Sequence, residues 1–220
     1  MTIHHHPSDE LLLDYAAGGL GEAWSLAVAT HLALCPVCRR SLSRLETLGG
    51  DLLETTSPEP IADNLLDGVM ARLDAPDEIV LPTPAAASGE PPRYLLPEPL
   101  RGYLGGDADS LEWQRLGLGA QQLVIPLPDE EATARLLRIP VGRPVPEHSH
   151  GGLELTLVLS GAFSDKTGTY GRGDLQEADE TVEHQPHAAP GEDCICLAVT
   201  DAPLRFKSLA ARMVQPLLGI

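Results

Sequence analysis

No apolar run in this chain approaches the roughly 20 residues that a membrane-spanning helix needs, and the amino terminus carries no hydrophobic signal region. Basic residues are scarce: 15 Lys and Arg stand against 32 Asp and Glu, for a formal charge of −17. That balance excludes direct binding to nucleic acid or to an anionic membrane, both of which need a basic surface, and it suits a basic protein partner. Cysteine is sparse as well. Four in 220 residues, two of them in Cys35-Pro36-Val37-Cys38, argue against a disulfide framework and fit a reducing compartment. A soluble, cytoplasmic protein is expected, with room for one large domain or two small ones.

What is present concentrates first around His31-Leu32-Ala33-Leu34-Cys35-Pro36-Val37-Cys38. One helical turn separates His31 from Cys35, which puts both side chains on one face. Pro36 disfavours the helical conformation at Cys35 but is well placed to open the next helix, with Cys38 in its first turn. An imidazole and two thiolates that converge are three of the four ligands of a closed tetrahedral zinc site. The fourth is expected from His4-His5-His6; His6 lies nearest the following helix, and spacing alone leaves His5 open. A redox Cys-x-x-Cys would need a strand-to-helix context that this segment lacks.

Residues 8 to 74 read as all-helical. Ser8 caps a first helix with the stripe Leu12, Tyr15 and Ala16, ended by Gly18-Gly19. Gly21-Glu22 opens a second, carrying Trp24, Ala27, Val28 and His31. A third starts at Pro36 and is expected to stop at Gly49-Gly50. A fourth segment presents Ile61, Leu65, Val69 and Leu73 on one face, widened by Leu66 and Met70. Three short helices bury little core, so a zinc staple supplies much of the folding energy. Leu65, Val69 and Leu73 are candidates for a ridge that fills a groove on a partner, or else close a four-helix bundle.

Prolines, alanines and acidic residues then dominate from 76 to 99, the composition of a semi-rigid spacer between a helical domain at 1–75 and a second domain at 100–220. In the second domain, Leu123–Leu127, Ala134–Ile139, Leu153–Leu159 and Cys194–Val199 read as short strands without intervening helices, the pattern of a sandwich or small barrel.

Within this β region, His148 and His150 share one strand face and Glu154 has the same parity. His184, in Thr181-Val182-Glu183-His184, can join them from a later strand. Mixed nitrogen and oxygen ligation suits zinc or another divalent cation such as Mn, Fe or Ni. Cys194 and Cys196 also share a face. Alternate side chains on an extended strand stand too far apart for an unstrained disulfide, so ordinary core packing is expected of them.

Gly142, His148-x-His150, Glu154 and Gly161 resemble the first cupin motif at each fixed position. Gly173-Asp174 and His184 fit the second, with Asp179, Thr181 and Ala188 standing where proline, glycine and asparagine are usual. The amino-terminal histidine followed by His-x-x-x-Cys-x-x-Cys resembles the zinc-containing anti-sigma domain. The pairing of the two is similar to the ChrR family of anti-sigma factors over essentially the whole chain. The resemblance implies a two-domain architecture: an all-α zinc-stapled domain and an all-β, jelly-roll-like cupin. It implies one zinc held by His6, His31, Cys35 and Cys38 and a second metal held by His148, His150, Glu154 and His184. It further implies a partner, a cognate extracytoplasmic-function (ECF) sigma factor, released when singlet oxygen or related oxidants act through the cupin. Three histidines and a glutamate in a barrel also serve oxygenases and isomerases, so an enzyme is the rival expectation.

Overall fold

Ser8 sets the first helix: its hydroxyl accepts the Leu11 N–H at 3.3 Å, and Asp9 and Glu10 complement the positive end of α1 (Asp9–Ala16). The chain is described from a computed structural model, in which residues 2–73, 93–128, 132–208 and 215 are described. After a turn in which Gly18 takes a φ of +70°, α2 runs from Glu22–Leu34. Pro36 opens α3 (Pro36–Glu54). This helix continues through Gly49-Gly50 instead of ending there; glycine costs only about 1 kcal/mol in a helix interior, and the good helix formers Leu52, Leu53 and Glu54 follow. A fourth helix, α4 (Leu65–Leu73), starts four residues after Ile61. Among the described residues, no helix is long and apolar enough to cross a membrane.

The expected spacer at 76–99 lies for the most part outside the described residues. Its tail belongs to the core: Leu96 is buried, and α5 (Glu98–Leu104), which the sequence reading missed, buries Leu100. A 3-10 turn at Ala108–Ser110 precedes the strands. These are β1 (Gln114–Gly117), β2 (Ala120–Val124), β3 (Thr133–Ile139), β4 (His148–Ser149), β5 (Glu154–Ser160), β6 (Ala162–Asp165), β7 (Gly168–Gly171), β8 (Leu175–Ala178), β9 (Glu183–His184), β10 (His187–Ala188), β11 (Cys194–Thr200) and β12 (Arg205–Phe206). They form a six-stranded antiparallel sheet in the order β1-β2-β3-β11-β5-β8 and two three-stranded sheets, β10-β6-β7 and β12-β4-β9.

The chain divides into two compact units, Met1–Thr47 with Tyr94–Ile220 and Leu48–Arg93. In the first, the central strands are buried on both faces, and the period of two explains how. Leu155, Leu157 and Leu159 of β5, with Ile195, Leu197 and Val199 of β11, join a core that includes Leu26, Ala27, Val28 and Leu32 of α2. The alternate residues Val158, Cys194 and Cys196 face the other way, into a smaller cluster with Phe163, Tyr170 and Ala188 of the β10-β6-β7 sheet. One face of the large sheet therefore carries the helices and the other the barrel interior. A helix buried on most of its circumference, as α2 is, needs neighbours on several sides; α2 has α1, α5, β5 and β11. In the second unit, α4 buries none of its residues.

Candidate metal centres

The first centre forms where α2 gives way to α3. Cys35 caps α2 in extended backbone (φ −103°, ψ 104°), as a residue before proline must, and its N–H donates to the His31 carbonyl at 2.8 Å. Cys38, one turn into α3, places its thiol at a helix amino terminus, where the dipole favours a thiolate. His31 is fully buried; its Nδ1–H donates to the Gly173 carbonyl at 2.9 Å, so Nε2 faces Cys38 Sγ at 3.3 Å. His6 Nδ1 stands 3.3 Å from Cys38 Sγ and 3.5 Å from Cys35 Sγ. A tetrahedral zinc with ordinary bond lengths puts nitrogen and sulfur ligands about 3.5 Å apart, so the donor set matches that ion. His6, His31, Cys35 and Cys38 are thus brought together, and His4 and His5 are not part of the cluster.

Burial lowers the His31 pKa to about 4, which keeps it a neutral ligand at pH 7. Burial, and then the neighbouring Cys35, raises the Cys38 thiol to about 12. A bare Cys38 thiol would stay protonated at neutral pH, so a cation is what would convert it to thiolate, with release of a proton.

The second centre lies on short strands. Antiparallel pairing sets His148 of β4 directly against His184 of β9, and His150 follows β4 by one residue. The Nε2 atoms converge: 3.1 Å from His184 to His148 and 3.2 Å from His184 to His150. Tetrahedral nitrogen ligands of zinc lie about 3.3 Å apart. Two tautomers are fixed from outside, His148 Nδ1–H donating to the Pro146 carbonyl at 2.8 Å and His184 Nδ1–H to Asp165 at 2.5 Å. Burial lowers both His148 and His150 to about 4.

Glu154 is not drawn into this cluster. The Thr156 hydroxyl, two residues along the same strand face, donates to its Oε1 at 2.9 Å, and Oε2 lies 3.7 Å from His150 Nδ1, which has no hydrogen-bond partner among the described residues. Burial raises the Glu154 carboxyl to about 7. The residues present provide two clusters suited to two Zn²⁺ ions, one of mixed sulfur and nitrogen and one of three imidazoles. Leu65, Val69 and Leu73 lie on α4, 51%, 46% and 71% exposed.

Residues 104–203 match the family model described as the ChrR cupin-like domain. The anti-sigma-E factor ChrR of Cereibacter sphaeroides is 50% identical over 220 residues, all of this chain and all of that one. This chain belongs to the ChrR family of anti-sigma factors. The solved structure of Rhodobacter sphaeroides SigE in complex with the anti-sigma ChrR matches with a TM-score of 0.79 and 48% identity, covering 91% of this chain and all of that one.

Sequence reasoning missed one group that this ChrR-family chain builds into its cupin. The Asp165 side chain is buried and accepts from His184, Thr167, Gly168 and Gln176. Burial alone would raise its carboxyl, and the hydrogen bonds from Thr167, Gln176 and His184 outweigh that, holding it at about 2. The available signal, Asp165-Lys166-Thr167-Gly168, reads only as a turn. Cys194 and Cys196 are buried free thiols with their sulfurs 3.5 Å apart, near an irregularity in the pairing of β11 with β5.

Proposed function

We propose that this chain sequesters a cognate ECF-type sigma factor in the cytoplasm through its helical region and releases it when singlet oxygen or a related oxidant acts on the cupin. The observation that carries the reading is the full-length likeness to a ChrR chain that forms a complex with SigE. The net charge of −17 supports it, since an acidic inhibitor is steered to basic surfaces that a sigma factor would otherwise offer to promoter DNA. In this reading residues 1–75 act as the sequestering module, 76–99 as the connection and 100–220 as the sensor. The rival reading, a cupin enzyme, has nothing in its favour beyond the three imidazoles.

His6, His31, Cys35 and Cys38 are assigned to the structural zinc. His148, His150 and His184 are assigned to the cupin metal, zinc or another divalent cation. Glu154 would become its fourth ligand by rotating away from Thr156.

Leu65, Val69 and Leu73 are proposed as the ridge that the sigma factor covers. Their exposure on a helix with no buried residue supports this, as does the neighbouring exposure of Leu66 and Met70. Burial of three such side chains is worth about 1.5–3 kcal/mol each, so the triple alanine variant should bind at least about 100-fold more weakly. Titration of purified sigma factor against the full chain measures it. Unchanged affinity would retire the ridge and leave the sequestration reading standing, whereas no complex with the natural chain would sink both.

A further inference from the structure

Five consecutive residues, Gly173 to Glu177, lie between the two metal centres. Gly173 accepts the Nδ1–H of the zinc ligand His31 at 2.9 Å. Asp174 Oδ1 accepts the His4 and His5 backbone N–H groups at 2.7 and 2.9 Å. Leu175 donates its N–H to the His5 carbonyl at 3.1 Å, one residue before the ligand His6. Glu177 accepts the Ser8 N–H at 2.6 Å. The amino-terminal arm thus adds to the free edge of β8, the outermost strand of the large sheet.

Gln176 lies on the opposite face of β8 from Leu175 and Glu177, as the period of two requires. Its Nε2 donates to Asp165 Oδ2 at 3.0 Å and to Thr167 Oγ1 at 2.7 Å. The same Asp165 Oδ2 accepts from His184 Nδ1 at 2.5 Å, with both side chains at most 1% exposed. A continuous chain of hydrogen bonds therefore runs from His184 of the three-imidazole centre through Asp165 to Gln176 of β8, next to the residues that bond His31 and the backbone before His6.

Gly173 is needed for the contact at the far end. It has a φ of +89°, and a Cβ there would stand 2.6 Å from the Ile3 side chain. Any other residue there would be strained by the positive φ and would have to displace the Ile3 side chain.

We propose that Asp165 is a positioning residue for His184, and that Gln176 couples occupancy of the three-imidazole centre to the stability of the zinc centre formed by His6, His31, Cys35 and Cys38. Metal on His184 Nε2 makes its Nδ1–H a stronger donor, which tightens Asp165 and with it Gln176 and β8. Loss of that metal slackens β8 and loosens its hold on His5, His6 and His31. Coupling between two sites is reciprocal, so loss of the helical zinc must weaken the cupin metal by the same factor. The inference deepens the regulatory reading above and rests on it only for its biological use.

The test uses the full chain loaded with zinc and follows the rate at which the Cys/His centre gives zinc to an excess of chromogenic chelator. Emptying the cupin centre by His148→Ala with His150→Ala should speed that loss at least about five-fold. Gln176→Met should reach the same fast rate although its cupin retains one equivalent of metal. Asp165→Asn should weaken the cupin metal by about 10- to 100-fold. Equal rates in the natural chain and the double-alanine variant overturn the coupling, and so does a slow rate in Gln176→Met.

A measurement on the unaltered chain guards against misfolded variants. Removal of the cupin zinc with a mild chelator should speed hydrogen exchange of the Leu175 amide several-fold, and unchanged protection overturns the link. Failure of a sigma factor to bind would sink the function proposed above without moving either readout, so the two failures are distinguishable.

Discussion

Two nitrogens and two sulfurs make the cluster suited to zinc, and local rules set three of the four. His31 and Cys35 are one turn apart, Pro36 breaks and restarts the helix, and Cys38 falls in the new first turn. Replacing His31 and Cys35 together by alanine should remove one equivalent of zinc and leave the other in the cupin, read by elemental analysis; two retained equivalents would refute the assignment. Acid should act on both centres. His31, His148 and His150 all have folded pKa values of about 4, below the ordinary 6.5. The unfolded chain therefore takes up protons that the folded chain does not, and stability falls as pH drops from 6.5 towards 4. Glu154, raised to about 7, opposes this with one group against three. Each pKa unit is worth about 1.4 kcal/mol, and proton competition for the metal nitrogens adds in the same direction. Urea midpoints of the chain with and without chelator should both decline between pH 7 and pH 5, the loaded chain more steeply.

At the scale of elements, α2 and β5 unite the structure. The leucines of β5 at 155, 157 and 159 pack on the helices, while Val158 lines the barrel. Leu157→Ala should cost about 2–5 kcal/mol, and helical and aromatic probes should report one coincident unfolding transition, because the helices at 9–47 and the sheet share a core. Two separated transitions would contradict the shared core.

The helices were legible in the sequence because capping and the 3.6-residue period are local, as Ser8 and Pro36 illustrate. Three of the four expected strand segments were legible from their apolar runs, whereas Leu123–Leu127 meets β2 (Ala120–Val124) only at Leu123 and Val124. What escaped were elements whose identity is settled by distant partners. Among these were α5, whose Leu100 is buried through packing of α5 on α2, and the two-residue strands β9 and β12, paired with β4. Seven of the eight candidate ligands gather into the two clusters. Glu154 stays outside them, its carboxylate accepting the Thr156 hydroxyl. Asp165 was invisible since nothing in its turn sequence foretells burial against His184.

For the molecule as a whole, the account joins an acidic surface, a zinc-stapled helical region and a metal-bearing cupin into an inhibitor that can be switched. A switch needs differential affinity for its partner in two states, and distance between the centres supplies none of it. The packing of the arm on β8 provides a physical connection through which the cupin can alter the helical region. The most direct check is transcription in vitro by the cognate ECF sigma factor with core RNA polymerase, as purified full chain is added. The account predicts stoichiometric repression by the zinc-loaded chain and recovery of transcription once chelation strips it. Full transcription in the presence of a saturating, zinc-loaded chain would contradict it.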